Sequence, residues 1–277
     1  MPELPEVETI AQDLIYNGIV NQVIESVDVM SPHLSQYIDN EILKKNILGS
    51  TIVGIHRRGK YLAFSLNNGF SLIVHFRMSG KILITPIQEP VSPHQHLLMT
   101  FSNELHIRFH DPRKFGRWTL TNNPCSVYGH LGPEPLTMTF DTFYPLLKRQ
   151  RALKPLLLDQ TVIAGLGNIY VDESLWYSKL HPLRPGCTLN KSDARSLYKA
   201  IQLSLIKGIE SGGTTIGHGQ CNYKRMEGAW GNNQKRLNVY QQQGNPCHHC
   251  GTKIIKIFVA QRGTHLCPTC QIHNPNR

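Results

Sequence analysis

The sequence predicts a multidomain α+β protein. A β-rich N-terminal part follows an opening helix, a helical stretch comes next, and a C-terminal β-hairpin is held by four cysteines. Three observations carry this reading. Apolar residues recur at helical spacing over residues 5–17. Short apolar runs punctuated by turn residues fill residues 22–120. The pairs Cys247-x2-Cys250 and Cys267-x2-Cys270 stand near the end of the chain. A length of 277 residues suits two domains, or one large domain with an appendage.

The opening helix rests on Val7, Ile10, Ala11 and Leu14, which share one face. Pro5 falls in the first turn, where a proline is tolerated, and Glu6 and Glu8 lie at the positive end of the helix dipole. The runs Tyr61–Leu66 and Ile73–Phe76 flank the turn residues Asn67, Asn68 and Gly69 and predict a hairpin. A second hairpin joins Leu97–Phe101 to Leu105–Phe109 through Ser102 and Asn103. Strands this short and this closely spaced predict a sandwich or barrel. Leu131–Pro135, with Gly132 and Pro133, is a linker. Helices are predicted over 141–149, 153–159, 169–180 and 193–210. The last takes Ser192 as its N-cap and stops at Gly212-Gly213. Residues 217–243 are polar and rich in Gly, Asn and Gln, and predict a long surface loop.

Composition narrows the class. Hydrophobic residues make up 40% of the chain, which excludes wholesale disorder. Lys and Arg number 29 against 19 Asp and Glu, a formal charge of +10, yet charged residues are only 17%. The imbalance therefore reflects a shortage of acids and suits a folded body with one basic face, not a polybasic tail. No apolar run approaches the ~18 residues of a membrane span. The start lacks the basic and apolar regions of a secretory leader. Seven cysteines, four of them clustered, argue for a reduced cytoplasm with one metal site, not a disulfide framework.

Three places carry chemistry. The four thiols of Cys247, Cys250, Cys267 and Cys270 suit a tetrahedral zinc, and a closed set of four leaves no open position, so the ion is structural. Lys253–Val259 lies between the pairs and Gln261–Thr264 reads as a turn, which puts Arg262 at the hairpin tip; His248, His249 and His265 are exposed bystanders. In Gly165-Leu166-Gly167-Asn168, Asn168 can cap a helix starting at Ile169. That corner either offers free N–H groups to a phosphate or simply packs two helices together. At the N-terminus, removal of Met1 would leave Pro2 as a free secondary amine. Such an amine condenses with an aldehyde to an iminium, an electron sink that needs no proton. Glu3 and Glu6 lie near enough in sequence to move protons. On local grounds the same residues could equally be a frayed end ahead of a helix.

Together with Met1–Thr9, several ordered motifs resemble the bacterial formamidopyrimidine-DNA glycosylase (8-oxoguanine DNA glycosylase) family over almost the whole chain. They are Arg57–Tyr61, His75–Gly80, Asp111–Gly116, Leu153–Asp159, Gly165–Ser174, Gly212–Thr215 and Arg262–His265. The resemblance implies an N-terminal catalytic β-sandwich over 1–130, a helix-two-turns-helix domain with a lesion-capping loop over 131–240, and a zinc finger over 241–277. It implies a cytoplasmic monomer that binds damaged double-stranded DNA and one zinc ion and has no membrane association. The implied activity is bifunctional: a glycosylase for oxidised purines (8-oxoguanine, formamidopyrimidines) and an abasic-site lyase, in base excision repair.

Residue roles follow from the resemblance position by position. Pro2 would attack C1′ and form a Schiff base; Glu3 would act as general acid, Glu6 would position the amine, and Lys60 would hold a phosphate and support β,δ-elimination. Asn168 and Arg262 match a phosphate clamp, and His94 and Lys154 match further DNA contacts. Met78, Arg113 and Phe115 match the trio that fills the space left by a flipped base. The chain departs from the family pattern in a less basic 241–245 segment and a longer 215–240 stretch carrying Tyr223, Arg225 and Trp230, so lesion preference is the open part of the transfer. The alternatives are an endonuclease VIII-like enzyme for oxidised pyrimidines and a non-catalytic zinc-finger DNA-binding protein.

Overall fold

The computed structural model describes residues 1–31, 34, 39–215 and 231–273. The chain forms two compact units, Met1–His130 with Ser211–Asn232, and Leu131–Glu210 with Asn233–Arg277.

In the first unit, helix α1 (Leu4–Tyr16) starts at Glu3 in a reciprocal capping box with Glu6. Its Val7, Ile10, Ala11 and Leu14 are buried, as the spacing predicts. Among the described residues eight antiparallel strands follow: β1 (Ile24–Val29), β2 (Ile52–Arg58), β3 (Tyr61–Leu66), β4 (Ser71–His75), β5 (Lys81–Pro86), β6 (Gln95–Phe101), β7 (Leu105–His110) and β8 (Arg117–Thr121). They form two sheets of order β1-β6-β7-β5 and β2-β3-β4-β8. Val27, Met99, Ile107 and Phe109 of one sheet share a core with Leu62, Phe64, Val74 and Trp118 of the other, and α1 joins that core through Val7, Ile10 and Leu14. The architecture is a sandwich.

The hairpin turn at Asn67–Gly69 forms as the residues require, with Gly69 at φ +85°. One element departs from the strand reading. Helix α2 (Asn40–Ile47) interrupts the β region because the Asp39 carboxylate accepts the N–H groups of Glu41 at 2.8 Å and Ile42 at 3.1 Å.

The second unit holds α3 (Phe140–Leu146), α4 (Leu153–Leu157), α5 (Asn168–Tyr177) and α6 (Lys191–Glu210), then the hairpin β9 (Ile255–Val259) and β10 (Arg262–Leu266). Turns join α5 to α6, closed by Lys179 N–H to Trp176 O and Arg184 N–H to His181 O, both 3.0 Å, and followed by a 3-10 turn at Gly186–Thr188. Helix α3 ends at Leu146 rather than 149, one residue past Pro145. Helix α6 starts earlier than predicted, since Asn190, not Ser192, accepts the Asp193 N–H at 2.8 Å. The hairpin turn falls on Ala260 and Gln261, at φ +47° and +60°, with Arg262 paired to Val259. Arg262 therefore opens the return strand instead of riding the tip.

Candidate functional site

The first cluster gathers at the amino terminus. Pro2 is buried, Glu3 and Glu6 are 3% and 1% exposed, and Lys60 is 6% exposed. Lys60 follows Gly59, whose φ of +57° turns the chain sharply between β2 and β3. Arg57, two residues upstream, is pinned to Glu8 of α1 by an ion pair of 2.6 Å. Burial holds the Met1 α-amine below its ordinary value of 8.0; Lys60 and Arg113 push the same way, and Glu3 and Glu6 oppose them. The terminal amine, two carboxylates and a lysine thus share one desolvated site, a setting that favours a neutral, nucleophilic nitrogen. Glu6 is held rigidly within it. Its Oε2 accepts the Glu3 N–H at 2.9 Å and its Oε1 accepts the Thr214 N–H at 2.8 Å.

The second cluster is a set of loops at the strand ends of the same unit. Met78 is 43% exposed between β4 and β5, and Phe115 is 47% exposed between β7 and β8. Neither packs in the core. The Arg113 guanidinium stacks over Phe115 with its carbon 4.7 Å from the ring centroid. His94, exposed at φ +69° before β6, sits edge-on to His96 and His110 at centroid distances of 6.5 and 5.9 Å.

The third cluster lies in the second unit. Asn168 is the first residue of α5; Gly167 takes the cap position that the sequence suggested for Asn168. Its Nδ2 donates to Gly263 O at 3.0 Å, beside the exposed Arg262, and its Oδ1 has no partner among the described residues. Lys154 corrects an expectation. It is fully buried, with its ammonium 2.5 Å from Asp172 Oδ1 and 3.1 Å from Gly263 O, so it is an internal strut for the Arg262 turn and does not present itself to a ligand. His265 is a second correction. It is buried, and its N–H donates to Asp172 Oδ2 at 2.9 Å. His248 and His249 are exposed as expected.

The four cysteines stand together, with their sulfurs all within 4.8 Å of one another. The closest pairs, Cys250–Cys267, Cys250–Cys270 and Cys247–Cys270, are 3.4, 3.5 and 3.9 Å apart. A tetrahedron with Zn–S bonds of ~2.3 Å has edges of ~3.8 Å, so the set fits one zinc ion. Trp176 of α5 donates its indole N–H to Cys247 Sγ at 3.4 Å. Cys125 and Cys187 are free thiols; Cys221, Tyr223, Arg225 and Trp230 lie outside the described residues.

Sequence reasoning missed the buried carboxylates that organise these clusters. Glu173 accepts the backbone N–H groups of Asn238, Val239 and Tyr240, and so ties 238–240 to α5. Its pKa is raised by burial, against those hydrogen bonds. Asp111 and Asp172 act similarly for the loops around Arg113 and Arg262. The signal available for Asp111 and Asp172 was their place inside the quoted motifs.

Three family models match the chain: the formamidopyrimidine-DNA glycosylase N-terminal domain over residues 1–118, the H2TH domain of the same enzyme over 131–219, and a zinc finger found in FPG and IleRS over 244–272. The formamidopyrimidine-DNA glycosylase of Protochlamydia amoebophila is 46% identical over 274 residues, covering 98% of this chain and 99% of that protein. That of Enterococcus faecalis is 43% identical, covering 98% and 97%. Two solved structures are similar at 40% identity and a TM-score of 0.88, each covering 98% of this chain and 100% of the other. They are the Lactococcus lactis enzyme with a Fapy-dG-containing DNA and MutM with a carbocyclic 8-oxo-G-containing DNA.

Proposed function

The chain belongs to the formamidopyrimidine-DNA glycosylase family, and from that premise we propose that this DNA repair glycosylase is a bifunctional enzyme whose nucleophile is the Pro2 nitrogen freed by loss of Met1. The observation that carries the proposal is the desolvated amino terminus set among Glu3, Glu6 and Lys60. Its substrate is an oxidised purine in double-stranded DNA, extruded from the stack so that C1′ can be reached.

The reaction runs as covalent amine catalysis. The Pro2 lone pair attacks C1′, the N–C1′ bond forms, and the glycosidic bond breaks as the base leaves with its electron pair and takes a proton. Glu3 protonates the ring oxygen, the sugar opens, and C1′ becomes an iminium carbon. The iminium acidifies C2′; loss of that proton expels the 3′ phosphate. A second elimination expels the 5′ phosphate, and water releases Pro2. Glu6, with both oxygens already accepting backbone N–H groups, positions the first turn of α1 and so the nitrogen. Lys60 holds a phosphate and supports the eliminations. The ion that Cys247, Cys250, Cys267 and Cys270 would hold has a structural role, stapling the hairpin that carries Arg262.

Met78, Arg113 and Phe115 fill the space left by the extruded base, with Arg113 bonding the orphaned partner. Arg262, Asn168 and His94 grip phosphates. The DNA complexes of similar structures support the substrate class, and the reduced thiols suit a cytoplasmic monomer. The test is excision of 8-oxoguanine against thymine glycol, with product ends resolved. Oxidised-purine preference and a gap bounded by two phosphates are expected. Preference for thymine glycol would move the chain to the pyrimidine branch, and an uncleaved strand would remove the lyase.

A further inference from the structure

Three loops of the first unit present the residues assigned to DNA: Met78 between β4 and β5, His94 between β5 and β6, and Arg113 with Phe115 between β7 and β8. All three meet at one residue, the Met78 and Arg113–Phe115 loops at its carboxylate and the His94 loop at its backbone N–H. Asp111 is 1% exposed and has no arginine or lysine partner among the described ion pairs. Its Oδ1 accepts the Ser79 hydroxyl and, at 3.3 Å, the Arg113 N–H. Its Oδ2 accepts the Gly116 N–H at 2.7 Å. The Asp111 N–H donates to the His94 carbonyl at 2.9 Å, and its own carbonyl accepts the Lys114 N–H at 3.1 Å. The floor beneath is shared as well. A Cβ on Gly80 would lie 2.8 Å from the Phe109 ring, and one on Gly116 would lie 2.3 Å from it. Both glycines therefore exist to let the two loops press onto a single aromatic face.

We propose that Asp111 is the positioning residue whose carboxylate sets the 76–80 and 111–116 loops in register, and that the Ser79–Asp111 hydrogen bond couples Met78 to the Arg113–Phe115 pair. This inference rests on the function proposed above, which gives the trio its task. The physical reason is that a buried carboxylate must be satisfied by several donors at once. Losing one donor from one loop leaves a buried charge undersupplied and lets the remaining loops shift. Reading of the base opposite the lesion then depends on a residue that touches no DNA.

The test compares Ser79→Ala, Ser79→Thr and Asp111→Asn with the parent chain in two ways. The first is hydrogen exchange of the free protein. Ser79→Ala and Asp111→Asn are expected to speed exchange in 76–80 and 111–116 together, while Ser79→Thr preserves protection. Faster exchange confined to 76–80 in Ser79→Ala would overturn the coupling whatever the enzyme does. The second is single-turnover excision of 8-oxoguanine opposite cytosine and opposite adenine, beside strand cleavage at a preformed abasic site. Ser79→Ala is expected to lose about tenfold more on the base than on the abasic site and to narrow the cytosine-to-adenine ratio by a similar factor. Equal losses on all three duplexes, with the ratio intact, would show a merely structural role. A parent chain inert on every duplex would defeat the proposed function instead, and the exchange experiment would still decide the coupling.

Discussion

The carboxylate of Glu6 and the backbone of Thr214 meet across 208 positions of sequence, with the Thr214 N–H donating to Glu6 Oε1 at 2.8 Å. The bond ties the first turn of the helix that follows Pro2 to the Gly212–Thr215 turn. Immediately beyond, the Gly231 N–H donates to Thr215 Oγ1 at 2.9 Å and the Asn232 N–H to Ser211 O at 2.9 Å. Residues 211–215 and 231–232 are therefore joined at a base that Glu6 anchors.

Glu6→Gln keeps the shape of the side chain and turns one acceptor oxygen into a donor facing a backbone N–H. Leaving that buried N–H unpaired costs about 1–3 kcal/mol. Single-turnover excision is expected to fall roughly 10- to 100-fold on that basis, with the dissociation constant for an abasic analogue little changed. Equal losses in binding and rate would show that Glu6 acts only through the fold.

The pH response of the amine has a definite sign. Burial lowers the Met1 α-amine pKa from 8.0, helped by Lys60 and Arg113, and in the proposed reaction the same surroundings hold the Pro2 amine below its own free value. The acid limb of borohydride trapping on abasic DNA should lie below that value. Arg113→Met removes a cation that disfavours protonation and should move the limb upward. An unmoved or lowered limb would remove Arg113 from the electrostatics of the site.

Stability should fall in mild acid. Burial, then the charges of Arg77, Lys60 and Arg117, depress the pKa of His75 from 6.5 to about 3, and its Nδ1 accepts the Arg77 N–H at 3.1 Å. His181 is lowered to about 4 by burial and His273. The unfolded chain takes up protons near pH 6.5 that the folded chain refuses. This contribution is full above 6.5 and drains away as pH falls toward 4; His75 alone loses on the order of 2 kcal/mol between pH 7 and pH 5. Melting temperatures at pH 7 and pH 5 check it. His75→Gln should flatten the slope, and a parent protein equally stable at both values would contradict the assignment.

Zinc removal or Cys267→Ser should release the hairpin, because the metal bond energy is folding energy for such a module. Arg262 is then displaced while the buried cluster around Pro2 persists. DNA affinity is expected to collapse with the β-sandwich still melting cooperatively. Retained affinity would make the finger dispensable.

The legible parts of the molecule were those with short-range signatures. Thiol spacing marks the metal centre without any knowledge of the fold, and the spacing of Val7, Ile10 and Leu14 marks α1. Pro2, Glu3 and Lys60 were legible only through ordered motifs, since a buried terminus and a frayed one read alike. Lys154 was misread because burial is a tertiary property: nothing local announces that Asp172 and the Gly263 carbonyl will enclose its ammonium. His265 went the same way, through the same aspartate. The contacts of Glu6 with Thr214 and of Asp111 with Ser79 span distant segments, so no window of sequence contains them.

The most direct test is borohydride reduction on an 8-oxoguanine·cytosine duplex, followed by mapping of the adduct. One covalent complex is expected, on the nitrogen of Pro2 in chains that have lost Met1, and none in Pro2→Gly. An adduct on a lysine, or undiminished trapping in Pro2→Gly, would contradict the assignment to Pro2.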